Sequence, residues 1–189
     1  MSNKIKYGLS HVYYAKATIA SNGSATYATP VAIPGAVSLS LDAQGDSTPF
    51  YADNIVYYTT IANNGYEGDL EVALLPETFY TDILGYRTDT AGIVYEDAGS
   101  SPVHFALMFQ FEGDESAKRH ILYNCTAARP SVSGSTKEAS IEPQTETISI
   151  TATTVYNASA DKDIVKASAT TTQSTAYNAW FSTAYQPVS

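Results

Sequence analysis

The sequence predicts a mainly β protein, an antiparallel β-sandwich or barrel-like fold with one or two short helices. Three observations carry that expectation. Val103, Phe105, Leu107, Phe109 and Phe111 alternate with His104, Ala106, Met108, Gln110 and Glu112, the period of two that gives a strand one heavily apolar face. After the polar turn Gly113-Asp114-Glu115-Ser116 a second alternating run sends Arg119, Ile121, Tyr123, Cys125 and Ala127 one way and Lys118, His120, Leu122, Asn124 and Thr126 the other, which makes a long antiparallel hairpin. Composition agrees: 15 tyrosines, frequent Thr and Ser and only 15% charged residues suit pleated sheet surface better than helix.

The remaining elements follow in order. Residues 5–20 alternate loosely as a first strand or hairpin, and Ser21-Asn22-Gly23-Ser24 supplies turn chemistry, because Asn-Gly accepts the positive φ of a tight hairpin. Residues 25–33 form a partner strand that Pro30 and Pro34 confine to an edge or a strand end. Val37, Leu39 and Leu41 alternate with serines as a half-buried strand. Residues 42–66 are less regular, a long loop containing one aromatic strand over 50–60 and a turn at Asn63-Asn64-Gly65. Over residues 66–75, Tyr66, Gly68, Leu70, Val72 and Leu74 share one face, while Glu67, Asp69 and Glu71 share the other. Residues 76–84 change period: the i,i+4 pairs Phe79 with Ile83 and Tyr80 with Leu84 predict a short helix that Gly85 stops. A short strand at 91–96, a polar loop at 131–144, a Thr-rich strand at 145–156 and a short strand at 164–169 come next. A helix over about 174–185 closes the chain, with Ser174 as its N-cap and Tyr177, Trp180, Phe181 and Ala184 along one side. No repeat or linker divides the chain, so one domain over 1–189 is expected.

The strings RHILYNCTAARP and GSTKEASIEPQTETISITAT, the upstream run YADNIVYYTTIANNGYEGDLEVALLPETFYTDILGY, the ending AYNAWFSTAYQP and the opening KIKYGLSHVYYA together resemble the major tail protein family, the tail-tube subunits of long flexible-tailed bacteriophages of Gram-positive hosts. The resemblance covers nearly the whole chain. It implies a subunit that closes into six-fold rings and stacks into the tube that carries phage DNA. It also implies residence in the virion tail after assembly in the host cytoplasm. The implied partners are other copies of itself, tape measure, distal tail and tail terminator proteins, and DNA passing without specific contact.

Charge and motif content narrow the alternatives. A net charge of −9, with its densest basic cluster at Lys118, Arg119 and His120, argues against tight binding to nucleic acid phosphates. An acidic surface past which DNA slides is compatible with it. No run reaches the ~20 apolar residues of a membrane helix, and the start MSNKIKYGLS lacks the apolar segment of a secretory signal. Cys125 is the one cysteine and is expected as a buried hydrophobe. His11, His104 and His120 share no metal-spaced cluster, and no phosphate loop or nucleophile elbow is present. No enzyme activity, cofactor or metal site is expected.

Several segments have competing readings. The Glu67, Asp69, Glu71 row is either a solvated outer face or the wall of a tube's lumen. A catalytic carboxylate pair is disfavoured, because adjacent acids on one strand point the same way and do not flank a bond. Phe50, Tyr51, Tyr57 and Tyr58 sit in a loop that either folds onto its own domain or forms an oligomer arm rich in interface-type aromatics. Lys137 and Glu138 lie in a long loop that either connects strands or reaches an adjacent ring. Trp180 and Phe181 dock either on the sandwich or on a neighbouring subunit. A secreted or surface β-sandwich binding module of adhesin or pilin type is the alternative function; such modules usually carry an export signal and often a cysteine pair.

Overall fold

The computed structural model describes residues 3–136 and 143–188. In chain order its elements are β1 Lys6–Ile19, β2 Ala25–Tyr27, β3 Val31–Ala32, β4 Ala36–Gln44, β5 Ser47–Ala52, β6 Ile55–Ile61, β7 Gly65–Val72 and α1 Glu77–Asp82. They continue with β8 Arg87–Thr88, β9 Val94–Tyr95, β10 Phe105–Gly113, β11 Lys118–Ala127, β12 Glu146–Thr153, β13 Val155–Asn157, β14 Lys162–Ile164, β15 Lys166–Ala169 and α2 Ser174–Ala179. The protein is mainly β, with antiparallel ladders and two short helices. The main sheet runs β2-β1-β10-β11-β12-β7-β4, with β15 beside β11 and β3 beside β1.

This sheet curls until β4 approaches β1, enclosing an interior filled from every wall: Val12 and Tyr14, Leu70 and Val72, Phe105 and Leu107, Ile148 and Ile150. Helix α1 plugs one end of that interior. Its Phe79 is fully buried and meets Tyr14 and Phe105 edge-on, at centroid separations of 5.2 and 5.8 Å, the geometry that the ring quadrupoles favour. Gly85 follows at φ +78°, where a side chain is strained, so the helix ends there as its sequence requires.

A second apolar cluster covers the other side of β1, β10 and β11. Ala106, Met108, Ile121 and Tyr123 face Trp180 and Ala184 from the C-terminal segment. Strand β10 is therefore buried on both faces from Phe105 through Gln110, whereas β12 alternates buried and open along its length. Among the described residues nothing covers the outer face of β12, β7 and β4.

Three expectations are corrected here. Residues 50–60 are not one strand: β5 and β6 form a hairpin with Asp53 and Asn54 at φ +52° and +63°, the two positive-φ corner residues of a type I′ turn. The signal is weaker than Asn-Gly and is hidden inside a continuous aromatic run. The second helix is one and a half turns rather than three, starting after Gln173 without a side-chain cap, because its apolar side chains also pack from irregular chain as far as Tyr185. Strand β11 does not alternate as a single ladder. The pairing shifts between Phe105↔Cys125 and Leu107↔Leu122, and this irregularity puts Cys125 in the sheet interior with Leu122 while Tyr123 faces the C-terminal segment.

Of the two placements open to Trp180, the chain itself supplies the sandwich one. Trp180 is 1% exposed, and its indole N–H donates to the His120 carbonyl at 3.2 Å. Phe181 stacks on Tyr13 at 4.9 Å. Both residues are thus held by contacts within their own chain, where Arg119 lays its guanidinium over the Tyr177 and Phe181 rings at 3.7 and 4.8 Å and fastens the segment down. Trp180→Ala is expected to lower the unfolding free energy by about 3–5 kcal/mol, measured by denaturant titration followed by circular dichroism.

Candidate functional site: an acidic sheet face and an exposed aromatic arm

The uncovered face is built on β7. Leu70 and Val72 are committed to the interior, and alternation then forces Glu67, Asp69 and Glu71 outward. Strand β7 lies between β4 and β12, with Glu71 beside Ser38 and Thr147, Asp69 beside Ser40 and Ser149, and Glu67 beside Asp42 and Thr151. The three acids are therefore the middle row of a plane whose flanking rows are hydroxyls and one more acid. None of β4, β7 or β12 contains Lys or Arg.

The hydroxyls orient the acids. Thr145 Oγ1 donates to Glu71 Oε1 at 2.7 Å, Ser38 Oγ donates to Glu71 Oε2 at 2.8 Å, and Ser149 Oγ donates to Asp69 Oδ1 at 2.6 Å. The Thr145 bond first, and the Ser38 bond second, hold the Glu71 carboxyl below its ordinary 4.5, since hydrogen bonds donated to a carboxylate favour its charged form. Asp42 opposite Glu67 is a cross-strand like-charge pair, which costs stability in a sheet. Asp42 belongs to the site and was missed by assigning it to a loop; its alternation with Ser38 and Ser40 was the available signal.

The arm is the same ribbon prolonged. Beyond Gln44 and Gly65, strands β5 and β6 extend the β4–β7 pair about 20 Å into solvent at ~3.3 Å per residue. Two backbone bonds join body to arm: the Ala62 N–H donates to the Asp46 carbonyl at 3.0 Å and the Asn64 N–H to the Gln44 carbonyl at 2.9 Å. Glycine is required at the root. A Cβ on Gly45 would lie 2.0 Å from the Ala62 carbonyl oxygen, and one on Gly65, at φ +100°, would lie 1.9 Å from that of Ala152. Every residue of β6 is exposed; Phe50, Tyr51, Tyr57 and Tyr58 are between 61% and 71% accessible. Lys137 and Glu138 lie outside the described residues.

Other chemistry is sparse. Among the described residues no group of three His, Cys, Asp or Glu could hold a metal, and no helix is long and apolar enough to cross a membrane. Burial pushes the Cys125 thiol up to about 12, which leaves it protonated and unreactive at neutral pH.

An exposed ribbon with large apolar side chains on both faces is the kind of surface that marks an association site. The comparisons agree: a family model described as phage tail tube protein matches residues 1–187. The chain belongs to the phage tail tube protein family, a structural component of the virion tail that self-assembles into a tube. No curated protein matches it.

A depressed carboxylate pKa contributes stability that is complete above the unfolded value and is lost as pH falls through the folded one. Urea unfolding of the wild type between pH 6 and pH 2 is therefore expected to weaken below about 4.5, and Glu71→Gln to flatten that limb.

Proposed function

We propose that the β4–β7–β12 face lines the bore of a tube of stacked hexameric rings and that its charge keeps passing DNA from adhering. The observation that carries this reading is the plane of Asp42, Glu67, Asp69 and Glu71, with hydroxyls as its remaining members and no cation on its three strands. A phosphate chain finds no positive partner there, so it has no counterion-releasing contact to break as it moves. The carboxylates repel it at distances up to a Debye length, about 8 to 10 Å at physiological ionic strength.

The like-charge pair Asp42–Glu67 supports the reading. Four acids held together on one exposed surface cost stability, and a surface selected only for solubility would intersperse cations. The uncovered edge of β4, together with the exposed arm, supplies the surfaces for contacts between subunits. Other tail components, including tape measure, distal tail and tail terminator proteins, set where such a tube starts and stops, and assembly takes place in the host cytoplasm.

Replacing Glu67, Asp69 and Glu71 together with Lys is expected to leave tubes visible by negative-stain electron microscopy, because all three point away from the subunit's core, while lowering DNA delivery in an infectivity assay. Unchanged delivery from tubes bearing the three lysines would remove the proposed role of this face.

A further inference from the structure

The curled sheet has a second end, opposite α1, that none of the described residues plugs. There a cleft of about 750 Å³ opens into the sheet interior. Leu39, Leu41, Tyr66 and Phe111 form half-buried apolar walls above the buried Phe109. Lys4, Lys6, Lys118 and Lys166 stand around it, four of the seven lysines in the chain. They reach it from the N-terminal segment, β1, β11 and β15, so the cluster is a product of folding rather than of a basic run.

Two of these lysines lie over the walls. Lys6 Nζ is 4.8 Å from the Phe111 centroid; Lys166 Nζ is 4.4 Å from the Tyr66 centroid and donates to the Tyr66 hydroxyl at 2.8 Å. Among the described residues the carboxylate ion pairs are Arg87–Asp97 and Arg129–Glu96, and no lysine of the cleft takes part in one. Burial first, and the lysine charges second, push His120 on the cleft wall down from 6.5 to about 4. At neutral pH the cleft is thus an apolar hollow with four lysines at its rim and one lining acid, Glu112, whose carboxylate accepts hydrogen bonds from Ser10 and Gln110.

The exposed arm has the complementary character. Between Ser47 and Ile61 the arm carries a single charged residue, the acid Asp53, and no Lys or Arg. The arm's apex is Asp53, flanked by exposed Phe50, Tyr51, Tyr57 and Tyr58. Large aromatics closing into an apolar pocket, with opposite charges at its rim, form the kind of contact that anchors interfaces.

We infer that this cleft is the socket for the β5–β6 arm of a neighbouring copy of the chain, the aromatic side chains entering between Leu39, Leu41 and Phe111 and Asp53 settling among the lysines. The inference rests on the tube-forming reading above and names the recipient of the arm. The contact must be made in trans. No residue of the arm lines the cleft of its own chain, and the arm's aromatic side chains are exposed there. Arm and socket are different surfaces, so the contact is heterologous, and each subunit that receives an arm offers another.

Two measurements on concentrated protein test this. The first is Tyr57→Cys combined with Lys118→Cys: oxidation of assembled particles is expected to give a ladder of dimers and higher multimers on a non-reducing gel, with buried Cys125 taking no part. The second is a double-mutant cycle between Asp53→Asn and the pair Lys4→Gln, Lys118→Gln, read as the threshold concentration for assembly. Each arm of the cycle is expected to raise the threshold about threefold, in the range for exposed ion pairs, and the combination to raise it no further than the larger single effect. Unchanged near-ultraviolet circular dichroism confirms that each variant monomer is folded. Tubes that form without the ladder, or thresholds that simply multiply, would overturn the socket and leave the tube reading standing. Wild-type protein that forms neither tubes nor oligomers would overturn both.

Discussion

Two-sided burial of β10 is the constraint from which the rest of the molecule follows. One face of this strand, with Phe105, Leu107 and Phe109, fills the interior of the curled sheet, and the other, with Ala106 and Met108, meets the C-terminal segment. Only a strand in the middle of the sheet can be covered twice. Its neighbours β1 and β11 share the cover; β12, β7 and β4, further along, do not. The bare outer face of those three strands is the remainder left once the available apolar cover has been used, and it had to be polar.

The way that cover is attached explains its strength. Arg119 projects from β11, gives its Nε–H to the side-chain oxygen of buried Gln110 at 2.9 Å and presents its guanidinium to Tyr177 and Phe181. Gln110 in turn donates to Glu112 at 2.8 Å and to Ser10 at 3.3 Å. A single cation thus links the end of β10, the start of β1 and the C-terminal helix. A planar guanidinium suits this better than an ammonium, because it can stack on rings while its edge makes hydrogen bonds.

Charge is divided as sharply as hydrophobicity. The acids of β4 and β7 lie on the outside of the sheet, and the lysines of the cleft gather at the mouth of its inside. One apolar wall of the cleft and the acidic plane are opposite faces of the same two strands: Leu39, Leu41 and Tyr66 line the cleft, while Ser40, Asp42 and Glu67 occupy the outer surface. A tube built from such a unit needs one surface that stays empty and another that is filled by a neighbour. Period-two alternation lets eight or nine residues of one ribbon serve both.

Alternation along the chain is enough to say which side chains share a face. Alternation assigned Glu67, Asp69 and Glu71 to one surface and Leu70 and Val72 to the other, located the β10–β11 hairpin, and placed a helix stop at Gly85, because these depend on neighbours in the chain. What covers each face depends on the folded sheet. That Trp180 turns inward, that Asp42 completes the acidic plane, that residues 50–60 fold back as an exposed ribbon, and that four distant lysines ring one cleft all depend on contacts between segments far apart in sequence. Periodicity records the direction of a side chain but not what it meets there, and meeting is set by the path of the whole sheet.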